Sequence, residues 1–136
     1  MNIASLYSIF LNYPIVTTDS RNIPVNSIFF ALKGDNFNGN AFAGEAIAKG
    51  AAYSIIDEPE FAANDQFILV DNVLLCLQQL ARHHRDQLGL PVLAITGTNG
   101  KTTTKELIAA VLSKKLKVNY TQGNLNNHIG VPLTIL

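Results

Sequence analysis

The sequence predicts an α/β chain in two parts: a small mixed-sheet domain over residues 1–90, then the first β-α-β unit of a phosphate-loop domain over 91–136. Three observations carry this reading. Short apolar runs suited to buried strands recur between amphipathic helix patterns. One run, Val92-Leu93-Ala94-Ile95, stops at the small-residue loop Thr96-Gly97-Thr98-Asn99-Gly100-Lys101-Thr102, and a helix-forming segment follows at once. Just before it, Gly89-Leu90-Pro91 interrupts the chain and marks the candidate domain boundary.

In chain order, Ile3, Leu6, Tyr7 and Phe10 recur at helical spacing and predict a short helix that ends at Tyr13-Pro14. Ile15-Val16-Thr17-Thr18 reads as a strand, and Asp19-Ser20-Arg21 directly after it reads as a polar turn. Residues 27–32, Ser-Ile-Phe-Phe-Ala-Leu, form a buried strand, followed by a Gly- and Asn-rich loop over 33–40. Phe37 is the one bulky apolar residue of that loop, placed either to fold back as an anchor or to stack on a ligand. A helix over 41–49 carries Phe42, Ala46 and Ile47 on one side and stops at Gly50.

Two further strands, 52–56 and 66–70, each close on an acid, Asp57 and Asp71. Asp71 is expected to cap the next helix, over 72–88, whose stripe is Val73, Leu77, Leu80, Ala81, His84 and Leu88. Cys76 beside that stripe reads as a packed thiol, and His83 and His84 as helix surface or edge. After the glycine loop, Leu107, Ile108, Val111, Leu112 and Leu116 form a second helical stripe. A strand over 117–120 completes a right-handed β-α-β unit, and Pro132 opens a last helix.

Composition narrows the function classes. Lys plus Arg and Asp plus Glu balance at 10 each, which argues against a nucleic-acid partner. A single cysteine rules out an internal disulfide framework. No run approaches the roughly 20 apolar residues of a membrane span, and the N-terminus lacks a basic stretch before an apolar core. The expected compartment is the cytoplasm.

The loop at 96–102 has the parts of a phosphate site. Glycines let backbone N–H groups turn inward, and the following helix points the positive end of its dipole at an anion. Lys101 adds a full charge, and the Thr102 hydroxyl is the expected magnesium ligand. The pattern is shorter than the general G-x-x-x-x-G-K-[ST] form, since Ile95 stands where the first glycine would be. A plain glycine turn with a solvated lysine would need neither two glycines nor three successive threonines.

Four stretches together resemble the Mur ligases, which build the peptide stem of peptidoglycan. They are Thr18-Asp-Ser-Arg21; Ser27-Ile-Phe-Phe-Ala-Leu-Lys-Gly34 with Phe42 downstream; Thr96-Gly-Thr-Asn-Gly-Lys-Thr-Thr103; and Gly123-Asn-Leu-Asn-Asn-His-Ile-Gly-Val-Pro132. The loop is shared more widely, including with folylpolyglutamate and cyanophycin synthetases. Thr103-Thr-Lys-Glu106 with the asparagine-rich stretch looks like the branch that adds D-alanyl-D-alanine to UDP-N-acetylmuramoyl-tripeptide.

The resemblance implies ATP and Mg2+ as cofactors and an acyl-phosphate route to an amide bond. It implies ATP phosphate contacts at Gly97, Thr98, Asn99, Gly100, Lys101, Thr102 and Thr103, with Lys101 as the catalytic cation and Thr102 toward magnesium. It implies UDP contacts at Asp19, Ser20, Arg21, Lys33, Gly34 and Phe42, and a cleft position for Asn126 and Asn127. Where relatives carry Asp-Gly-His, this chain has Asn38-Gly39-Asn40, which weakens any specific contact at Asn40.

The family's ATPase domain is several times longer than residues 91–136, so the chain is expected to be an N-terminal portion, inactive in ligation alone, with its uncovered second segment self-associating or disordered. The alternatives are a ligase adding the third stem residue and a non-catalytic UDP-substrate-binding module.

Overall fold

The computed structural model describes residues 2–123 and 125–136; Asn124, within the asparagine-rich stretch, lies outside them. Helix α1 (Ile3–Asn12) begins where the Asn2 side chain accepts a hydrogen bond from the Ser5 N–H. Its apolar spacing turns Leu6 and Phe10 inward. Four short strands follow: β1 (Val16–Thr17), β2 (Ile28–Phe30), β5 (Tyr53–Ile56) and β6 (Phe67–Leu69). They pair in the order β1-β2-β5-β6, every neighbour parallel, with Ile28 opposite both Val16 and Tyr53 and Ser54 opposite Phe67.

A parallel sheet needs cover on both faces, and alternation along the strands supplies two apolar layers. Ile28, Phe30, Ile55 and Ile68 pack against Leu6 and Phe10 of α1 and against Val73, Leu77 and Leu80 of helix α3 (Val73–Leu88). Phe29, Ala31 and Ile56 face the other way, onto Ala43 and Ala46 of the short helix α2 (Ala43–Ala48). On that side the buried Ser54 hydroxyl donates to the Ala43 carbonyl, tying β5 to α2.

Several expectations change. The 33–40 loop contains a hairpin, β3 (Lys33–Gly34) paired antiparallel with β4 (Phe37–Asn38), and a 3-10 turn over Gly39–Phe42 follows. The chain thus carries both strand pairings of the expected α/β fold, in separate sheets: four parallel strands and one antiparallel pair. The cap of α3 is Asn72, whose Oδ1 accepts from the Leu75 N–H, and not Asp71. A residue in extended geometry one step before the helix reaches that N–H, and Asn72 occupies that step. Leu88 of the expected buried stripe is exposed at the last turn, next to Gly89 in the left-handed region.

After residue 91 the helices are as expected and the strands are not. Helix α4 (Lys101–Leu112) starts at Gly100, and α5 (Gly130–Ile135) carries Pro132 in its first turn. Residues 92–95 and 117–120 form no strand, because a strand forms only against a neighbour and neither has one among the described residues. Leu107, Val111 and Leu116 are consequently exposed. Helix α5 docks on α3: Ile129, Leu133 and Leu136 join the larger apolar layer, and the Gln78 side-chain amide donates to the His128 carbonyl. Among the described residues no helix is long and apolar enough to cross a membrane.

Candidate functional site

All four strands of the sheet are parallel, so their carboxyl ends share one edge, the edge where open α/β sheets bind ligands. The turn after β1, the hairpin after β2, Asp57 and Glu58 after β5, and the start of α3 after β6 all leave the sheet there. Five of the six expected UDP-contact residues come from the first two of these loops, and Phe42 closes the turn that follows the hairpin.

The polar groups of this edge are largely engaged with one another. Arg21 donates from Nε and an η nitrogen to the Asp19 carboxylate at 2.8 and 2.9 Å, and these bonds hold the Asp19 carboxyl down at about 2. The Lys49 ammonium donates to the Ser20 carbonyl at 2.8 Å and pairs with Glu45. Lys33 Nζ lies 3.0 Å from Asp57 and 3.2 Å from Glu58, which raises the lysine above its usual value. Gly34 is open, and Phe42 stacks in parallel on Phe37 with ring centres 5.2 Å apart. Phe37 thus folds back on its own loop and remains half exposed.

Sequence reasoning gave Asn40 and Asp57 little weight, yet they are the centre of this edge. Asn40 is fully buried. Its Nδ2 donates to Asn38 Oδ1 and Asp57 Oδ1, while its Oδ1 accepts from the Asp57 N–H. Asp57 Oδ2 accepts from the Val73 N–H at the start of α3. Burial by itself would raise the Asp57 carboxyl, but the bonds from Asn40, Lys33 and Val73 outweigh it and hold it below the usual carboxylate range. The signal in the sequence was an acid closing an apolar strand run, a pattern with several structural causes.

The second candidate surface is the loop before α4. Gly97 and Gly100 have φ of 153° and 76°, conformations that favour glycine. Among the described residues no side chain caps α4, so its first N–H groups remain available. Lys101 Nζ lies across the loop, donating to the Gly97 carbonyl at 2.6 Å. One turn on, the largely buried Lys105 ammonium donates to the Thr121 and Gly123 carbonyls, an anchor that sequence reasoning did not single out. Asn127 Oδ1 accepts from the Ile129 and Gly130 N–H groups and so starts α5, while Asn126 is exposed. Among the described residues no hydrogen bond or ion pair joins residues 96–103 to the sheet edge, and no cluster of His, Cys, Asp and Glu could hold a metal.

These features define a class: a parallel α/β chain with a loop-rich sheet edge and a glycine loop opening on an uncapped helix N-terminus. Comparison with known proteins then gives the family. Residues 12–85 match the model "Mur ligase family, catalytic domain" and residues 95–136 the "Mur ligase middle domain". The chain belongs to the Mur ligase family.

Among curated relatives, the UDP-N-acetylmuramoyl-tripeptide--D-alanyl-D-alanine ligase of Bacillus subtilis (strain 168) is 46% identical over 123 residues, covering 89% of this chain and 27% of that protein. The ligase of the same name from Escherichia coli (strain K12) is 43% identical over 89% of this chain and 26% of its own length. A crystal structure of MurF from Acinetobacter baumannii superposes with a TM-score of 0.80 at 36% identity, over 90% of this chain and 27% of that one. MurF from Thermotoga maritima, in complex with ADP, gives 0.80 at 34% identity over 89% of this chain and 28% of that one. The chain therefore spans about a quarter of the length of the relatives it matches.

Proposed function

We propose that this chain belongs to a cytoplasmic, ATP-dependent amide ligase that joins D-alanyl-D-alanine to UDP-N-acetylmuramoyl-tripeptide. In this reading, residues 1–90 hold the nucleotide-sugar end of the substrate and residues 91–136 begin the ATP-binding domain. The observation that carries it is the 46% identity to a ligase of that name across 89% of the chain, phosphate loop included.

The loop fits a nucleotide phosphate, since its helix N-terminus is uncapped and its glycines hold positive φ. Bound magnesium-ATP would supply the phosphoryl group that activates the substrate carboxylate for attack by the dipeptide amine. The chain's own part is positioning and charge neutralisation. Gly97 and Gly100 shape the turn, and the N–H groups at the start of α4 face the anion. Lys101, which donates to the Gly97 carbonyl in this structure, would neutralise phosphate charge when the nucleotide is bound. The Thr102 hydroxyl would hold magnesium together with phosphate oxygens, as suits an ion that binds few protein ligands.

Two measurements test the proposal. A protein carrying this chain should release phosphate only when UDP-N-acetylmuramoyl-tripeptide and D-alanyl-D-alanine are both present. Equal turnover with a free diamino acid as acceptor would overturn the assignment in favour of the ligase acting one step earlier. By calorimetry, the 136-residue chain should bind UDP-N-acetylmuramoyl-tripeptide, and Lys101→Met should weaken any Mg-ATP binding by at least about tenfold.

A further inference from the structure

The sheet edge holds one feature that neither the ligase reading nor the family match assigns, a buried polar network beneath the β3–β4 hairpin. Asn40 is fully buried, and the Asp57 side chain is only 7% exposed. Asp57 alone gathers an amide donor from Asn40, the Lys33 ammonium and the Val73 N–H, which belong to three different segments. Glu58 adds a second grip on the hairpin, accepting from Asn38 Nδ2 at 2.8 Å and from Lys33 at 3.2 Å. Gly39 seals the base: its N–H donates to the Leu32 carbonyl, and a methyl group there would collide with the Leu32 oxygen and Ala31 carbon.

Buried charges and amides are costly unless every group is satisfied, so a network this complete fixes one geometry. It holds the two-residue strands of the hairpin, too short to be stable alone, at their base, through the facing pair Lys33 and Asn38. The surface held in place is the Phe37–Phe42 stack, with Phe37 46% exposed. The cations of this edge are already paired: Arg21 with Asp19, Lys33 with Asp57 and Glu58, and Lys49 with Glu45. What the hairpin offers a ligand is therefore an aromatic face, which suits a planar uncharged base better than a pyrophosphate.

We propose that Asp57 is a positioning residue of the nucleotide-sugar site: acting through Asn40 and Lys33, it fixes the β3–β4 hairpin so that the Phe37–Phe42 pair meets the base end of the ligand. This rests on the reading that residues 1–90 bind a UDP-linked substrate. Lys33, expected from the sequence to touch that ligand, acts here by holding the hairpin to Asp57 and Glu58.

The test uses the 136-residue chain, with UDP-N-acetylmuramoyl-tripeptide as probe in calorimetry and amide hydrogen exchange as the structural control. Asp57→Asn and Lys33→Met should each weaken the probe by about tenfold or more and speed exchange over residues 33–42, with exchange in β5 and in α3 beyond its first turn unchanged. Lys33 is 44% exposed, so its variant should fold even if Asp57→Asn does not. Unchanged affinity in Lys33→Met, with the hairpin exchanging faster, would overturn the positioning role and leave the substrate reading intact. Exchange that rises across the whole sheet would reduce Asp57 to a stability residue. No binding of the probe by the parent chain would overturn both readings together.

Discussion

Gly39 shows how one residue can set a loop. Its Cα lies against the backbone of Ala31 and Leu32, where a methyl group has no room, and the obstacle is main chain and cannot rotate away. Gly39→Ala must shift the turn that carries Asn40, and should cost about 1–3 kcal/mol, the range for overpacking a close-fitted site. Urea denaturation of the two proteins measures it, and an unchanged midpoint would show that the hairpin base yields freely.

His84 makes a second residue-scale case. Its ring meets Phe10 edge-on, and its Nδ1 lies 3.2 Å from the Tyr7 hydroxyl, at the seam between α1 and α3. Burial there lowers its pKa. As the pH falls through about 6.5, the unfolded chain takes up the proton first, so the folded state loses stability that it holds in full above that value. The urea midpoint should drop between about pH 7.5 and about pH 5.5, and His84→Gln should flatten that drop. Asp57 and Asp19, whose carboxyls are lowered, lose their contributions only as the pH falls below the ordinary carboxylate range, outside this window. The sequence placed His84 on a helix surface or edge, since periodicity shows which face a residue shares and not what crosses it.

At the scale of elements, burial divides the molecule. Leu77 of α3 is fully buried between the sheet and α1, while Leu107 of α4 is 64% exposed. Leu77→Ala should cost about 2–5 kcal/mol, and Leu107→Ala no more than about 0.5 kcal/mol. Chemical denaturation distinguishes them, and comparable losses would mean that α4 has a covered face in solution. The same contrast explains what the sequence could show. Helices α1 and α3 and strands β2 and β5 were legible because each buries a stripe or run of apolar residues. The hairpin was not, because strands of two residues rich in Gly and Asn carry no period. The expected strands at 92–95 and 117–120 have the right composition, but strand formation is a property of pairs and no composition contains the partner. The glycine loop and the helix start after it were legible because their pattern is local: two glycines, a lysine and a helix-forming segment lie within a few residues. The network of Asn40, Asp57 and Lys33 spans up to 24 positions, from 33 to 57, and appears only once the sheet aligns its strand ends.

For the whole molecule, the question is how residues 91–136 are joined to the parallel sheet and its helices. The contact is α5 on α3, where Ile129, Leu133 and Leu136 cover part of the larger apolar layer and Gln78 bonds to the His128 carbonyl. Asn127 sets the approach by starting α5, and Lys105 fastens the preceding segment to α4 through the Thr121 and Gly123 carbonyls. The glycine loop is thus tied, through α4 and α5, to the helix whose first N–H bonds Asp57 at the sheet edge. If that tie carries stability, a chain cut after residue 90 keeps its sheet and loses the cover over α3. Three partly buried apolar side chains contribute about 2–4 kcal/mol in all, and for a domain of this size that lowers the thermal midpoint by about 10 °C or more. The shortened chain should keep the circular-dichroism signal of α1, α2 and α3 alone, less that of α4 and α5, and melt earlier. A matching midpoint would show that α5 rests on α3 without stabilising it, and that the two segments are coupled by the chain connection alone.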